Sequence, residues 1–109
     1  MKIPKKIKVL GHNWDVVFPY HFVERSDCLA VRDVHMKTIL VSDMDMNGNR
    51  LPDSTILTAL LHEMFHIIED TSRFKVFEGL PNDLEEEAVQ SFAEIATAIL
   101  IDNRFIELE

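Results

Sequence analysis

His62, Glu63 and His66 lie in the run Leu60-Leu61-His62-Glu63-Met64-Phe65-His66, two imidazoles and a carboxylate at helical spacing. Residues four apart on an α-helix stack one turn apart, with about 5–6 Å between Cβ atoms, so both rings can converge on one ion. Glu63 sits beside His62 on the same side. It is placed to take a proton from an attacking water rather than to bind the metal. This HExxH spacing suits zinc-assisted hydrolysis, with His62 and His66 as ligands and Glu63 as general base.

A hydrolytic zinc keeps three protein ligands and one open position. The third ligand is expected from a second helix, where the candidates are Glu85, Glu86 and Glu87. Carboxylates in a first helical turn also suit the helix dipole, which is reason enough for two of the three to be there. Val89, Ala93, Ala96 and Leu100 follow Glu86 at i+3, i+7, i+10 and i+14, so Glu86 continues the inward stripe. Glu87 lies about 100° away, beside Gln90 and Glu94. The face favours Glu86, against the competing use of its carboxylate in a capping-box-like pair with Asp83. Gln90, one turn after Glu86, and Asp70, one turn after His66, could each hold a ligand histidine by its other ring nitrogen.

Two helices must position these groups. Pro52-Asp53-Ser54 is a start signal, and Thr55 to about Asp70 then contains neither Gly nor Pro. The segment is apolar on most sides, as a helix in the middle of a domain would be. Thr55, Thr58, His62, His66 and Glu69 nevertheless form a polar stripe along it. Each unpaired polar group buried there would cost on the order of 1–3 kcal/mol, a penalty that metal ligation or internal hydrogen bonds would remove. Gly79 and Pro81 mark a loop, and Asn82 or Asp83 is expected to cap the second helix, which runs to about Ile101.

The first half reads as strands. Lys6–Leu10 and Trp14–Phe18 flank a turn at Gly11-His12-Asn13, while Cys28–Val34 and Lys37–Ser42 flank His35-Met36. Strands first and helices afterwards predict an α+β domain with a small antiparallel sheet. At 109 residues, with no linker or repeat, residues 1–109 read as a single domain.

The net charge of −8, from 19 acidic and 11 basic residues, disfavours nucleic acid as a partner. Lys2, Lys5, Lys6 and Lys8 read as a charged N-terminal arm and edge strand. A single cysteine, Cys28, and no secretory pattern at the start predict a reducing, cytoplasmic setting. The most apolar stretch, Ile56 to Ile68, is broken by His62, Glu63 and His66, so no membrane partner is expected.

Asp43-Met44-Asp45-Met46-Asn47-Gly48 matches the first half of an EF-hand loop. Ser54 stands where a bidentate Glu is needed, however, and a polar turn explains the segment as well. His12, His21 and His35 read as surface or turn residues; one of them, or Tyr20, could reach the site as an oxyanion stabiliser.

The HExxH run, together with Glu86-Glu87-Ala88-Val89-Gln90-Ser91-Phe92-Ala93, resembles the ImmA/IrrE-type metallopeptidases, and above all the short phage and prophage proteins related to them. Those carry an E-x-x-A-[ND]-x-F-A helix whose first Glu is the third zinc ligand, which by resemblance is Glu86. Val89 stands where the family has Ala, and Gln90 where it often has Asn or Asp. Ile7–Gly11 and 27–41 are similar to the short sheet of the phage proteins. The resemblance implies a gluzincin-like, minimal zincin core in a bacterial cytoplasm. It also implies a peptide or protein substrate, by analogy a regulatory protein, and an edge strand beside the zinc helix, for which Lys37–Ser42 is the candidate. Two other readings stay open: a zinc-binding interaction module of this fold without turnover, and a metal-free helical interaction protein.

Overall fold

A computed structural model describes residues 2–22, 28–71 and 79–105. Four strands, β1 (Lys6–Val9), β2 (His12–Val17), β3 (Ala30–Asp33) and β4 (Thr38–Val41), precede two long helices, α1 (Asp53–Thr71) and α2 (Asn82–Asp102). The α+β class is as expected from the sequence.

β1 and β2 form an antiparallel hairpin with Val9 opposite His12, so the turn is Leu10-Gly11 rather than Gly11-His12-Asn13. Both turn residues have positive φ, 49° and 83°. A two-residue hairpin whose twist matches its strands requires that geometry, and glycine at the second position adopts it without cost. β3 and β4 form the second antiparallel hairpin, around residues 34–37.

The hairpins join through β2 and β4, which run parallel with Val16 opposite Ile39, giving the order β1-β2-β4-β3. The sheet is therefore mixed, not wholly antiparallel. Its β4 is interior, which corrects the placing of Lys37–Ser42 at the edge beside the helix. That edge is β3. Both hairpins read alike in sequence, and which strands meet depends on how their apolar faces share one helix.

Alternation on β2 and β4 turns Trp14, Val16, Ile39 and Val41 to one face, where they pack with Ile56, Leu60 and Ile67 of α1. Ile39 and Ile56 are fully buried, each worth about 1.5–3 kcal/mol of transfer free energy. α1 lies between the sheet and α2, as its apolar circumference predicts.

Thr58, His62 and His66 of the polar stripe face α2. Thr58 Oγ1 lies 2.8 Å from Thr97 Oγ1, and each hydroxyl also lies 2.8 Å from the carbonyl oxygen four residues earlier on its own helix. α2 turns Val89, Ala93 and Thr97 inward. It starts directly after Pro81 with no side-chain cap, so neither Asn82 nor Asp83 has the capping role expected of it. The Asp83–Glu86 pair that would compete for Glu86 is not formed: that carboxylate points to α1.

Candidate metal centre

α1 and α2 bring one atom from each of His62, His66 and Glu86 within 4.8 Å of one another. The i, i+4 spacing sets the two imidazoles one above the other, ring centroids 4.9 Å apart. Their Nε2 atoms are separated by 3.1 Å. Glu86, reaching across from the first turns of α2, spans both: Oε1 is 2.6 Å from His62 Nε2 and Oε2 is 2.9 Å from His66 Nε2. His66 is 8% exposed, whereas Glu86 lies at the open side. The face argument selected the carboxylate that the structure brings to the histidines. Glu87 shares a shallow surface depression with His62, Glu86 and Gln90 but is not one of the three converging ligand-type residues.

The donor set is one that a cation would fit. His62 Nδ1 lies 2.7 Å from Gln90 Oε1, a carbonyl-type oxygen that can only accept, so Nδ1 carries a proton and donates it. In a neutral ring that leaves a lone pair on Nε2, facing a carboxylate oxygen at 2.6 Å. Two acceptors so close repel unless a proton or a metal cation lies between them. Ligand atoms around a tetrahedral zinc stand roughly 3.3 Å apart, given bonds of about 2.0–2.1 Å, so openings of roughly 0.2–0.7 Å would admit the ion. Two imidazoles and one carboxylate also match the ligand types of a hydrolytic zinc.

Gln90 thus takes the role its spacing suggested, holding a candidate ligand by its second nitrogen. Asp70 does not. Its carboxylate turns toward Arg32, with 3.7 Å between Oδ2 and Nε.

Glu63 is 9% exposed and lines a cleft of about 430 Å3 together with His62, Glu86 and Gln90. Leu29 and Ala30 form the wall on the β3 side; Thr55, Thr58 and Ala59 line it from α1. Arg32 on β3 donates from Nη1 to Glu63 Oε2 at 3.0 Å. Sequence reasoning missed this contact. Arg32 is 31 residues from Glu63, and its only local signal is a charge inside a β-prone run.

None of His12, His21, His35 and Tyr20 is among the residues that line the cleft. His12 and His35 are exposed, His21 lies 3.2 Å from Asp43 Oδ1, and Tyr20 stacks edge-on against Phe22. No family model matches the chain, and neither a curated protein nor a solved structure does.

Proposed function

We propose that the chain is a zinc-dependent peptidase, with His62, His66 and Glu86 as metal ligands and Glu63 as general base. The convergence of three ligand-type atoms beside a cleft that Glu63 also lines carries this reading. When bound, zinc would polarise a peptide carbonyl and make water acidic enough to attack it near neutral pH.

The chain's own residues supply the remainder. Glu63 accepts a proton from the attacking water and returns one to the leaving amine, so one water is consumed and an acid and an amine are released. Arg32 holds the Glu63 carboxylate in one orientation through its Nη1 bond. β3 is the edge of the sheet on the cleft side, and its backbone offers an extended peptide a strand to pair with. The resemblance to ImmA/IrrE-type peptidases adds a regulatory protein as the substrate class. Among the described residues no helix is long and apolar enough to cross a membrane.

The Arg32–Glu63 pair also favours a second reading, because a base already engaged by a guanidinium suits a zinc-holding module without turnover. Zinc-loaded protein incubated with denatured casein, with new termini identified by mass spectrometry, separates the two. Cleavage by the wild type and none by Glu63→Gln supports the peptidase. Zinc uptake with no cleavage by either supports the module. Failure to bind zinc overturns both.

A further inference from the structure

We propose that Glu94 is a positioning residue for the metal: acting through Gln90, it sets which ring nitrogen of His62 carries the proton. This inference rests on the metal-centre reading above and extends it by one more turn of α2.

Glu86, Gln90 and Glu94 stand four residues apart, on one face of α2 over successive turns. Gln90 Nε2 donates to Glu94 Oε1 at 3.0 Å, and Gln90 Oε1 lies 2.7 Å from His62 Nδ1. The two ends of a glutamine amide are nearly equal in shape and opposite in chemistry, one donating and the other accepting. Shape alone therefore does not select the end that meets His62. Glu94 does, because an ionised carboxylate only accepts and so draws the NH2 group to itself.

The amide oxygen is then turned to His62, where it stabilises a proton on Nδ1. Which nitrogen of a histidine binds a metal is set by the hydrogen bond that the other makes. With Nδ1 as the donor, the Nε2 lone pair is left at the point where His66 and Glu86 converge. Were the amide reversed, its NH2 group would face the Nδ1–H and oppose that arrangement.

Glu94→Lys tests the chain of contacts, since an ammonium only donates and would draw the amide oxygen away from His62. Zinc affinity, measured by competition with a chromophoric chelator, is expected to fall roughly tenfold or more, within the range that outer partners of metal ligands command. Glu94→Ala, which frees the amide without reversing it, loses less. Glu87→Lys makes the same change of charge on α2 at a residue that has no hydrogen bond to Gln90, and is the control for simple repulsion of the ion.

The double variant Gln90→Glu/Glu94→Lys is expected to recover most of the lost affinity, because a carboxylate at position 90 accepts from Nδ1 whatever stands at 94. A second readout is the His62 Nδ1–H signal in 15N-histidine NMR of the zinc-loaded protein. It should be protected from exchange in the wild type and the double variant, and broadened in Glu94→Lys.

Glu94→Lys binding no more weakly than Glu87→Lys would make Glu94 an ordinary solvated carboxylate. So would a double variant as weak as Glu94→Lys. Wild-type protein that takes up no zinc overturns the metal-centre reading as well, so the two failures are distinguishable.

Discussion

Two segments of this chain look like metal sites in sequence, and the structure treats them oppositely. Between α1 and α2, His62, His66 and Glu86 turn their acceptor atoms toward one another. In the 43–49 loop one carboxylate oxygen of each aspartate is already engaged. Asp45 Oδ1 receives the backbone N–H groups of Asn47 and Asn49, both at 2.9 Å, and Asp43 Oδ1 lies 3.2 Å from the His21 ring. Those backbone donors, Asn49 foremost, hold the Asp45 carboxyl below its ordinary pKa. A ligand pattern becomes a candidate site where lone pairs are left facing each other; where the chain's own N–H groups meet them, the same residue types make a turn.

The contrast is broken most severely at the histidines. His62→Ala/His66→Ala is expected to abolish zinc uptake and the heat stability that comes with it. At zinc one hundred times above its dissociation constant, that stabilisation is about 2.7 kcal/mol. In a domain of this size this amounts to on the order of 10–20 °C in Tm, the shift that a chelator should produce in the wild type. A calorimetric scan with and without chelator checks it, and equal shifts in wild type and double variant would remove the centre from these residues.

Glu63→Gln should leave zinc affinity nearly unchanged while lowering casein cleavage by roughly 10²–10⁴-fold, the contribution of a general base. A fall in affinity equal to that of Glu86→Ala would instead make Glu63 a ligand.

Arg32→Ala, by removing the Nη1 contact, is expected to reduce the cleavage rate more than zinc affinity, and Arg32→Lys to restore it in part. Parallel rate and chelator-competition measurements decide this. Matching losses would show that Arg32 supports the fold or the ion and not the base.

The smallest effects belong to the loop. Millimolar calcium should not raise Tm, and Asp45→Ala should lower it slightly while sparing zinc binding. The sign of the pH dependence follows from the lowered pKa. The contribution of Asp45 is complete above the ordinary carboxylate range and is lost as pH falls through its depressed folded value. Thermal melts of wild type and Asp45→Ala should therefore converge in acid; calcium-dependent stabilisation would erase the distinction between the two segments.

Much of the candidate centre's arrangement was legible because it lies on helices, where spacing along the chain fixes direction in space. Four residues set His62 above His66, and the stripe through Val89 and Ala93 pointed Glu86 inward. The same periodicity placed Gln90 one turn on, and the apolar circumference of α1 put that helix between the sheet and α2. The strand half was legible only within each hairpin. The parallel β2–β4 contact joins the hairpins, and no local pattern encodes which of their edges meet.

Local sequence therefore determined the residue types, their faces, the two hairpins and the order of the elements, since all of these follow from torsional preference and periodicity over a few residues. Tertiary structure decided what depends on contact between distant segments. It made β3 the edge at the cleft, gave Glu63 to Arg32, took Asp70 from His66 and left the 43–49 loop to its own backbone. Each of these outcomes is a competition among donors for one acceptor, or among edges for one neighbour, and only the packed chain brings the competitors within reach.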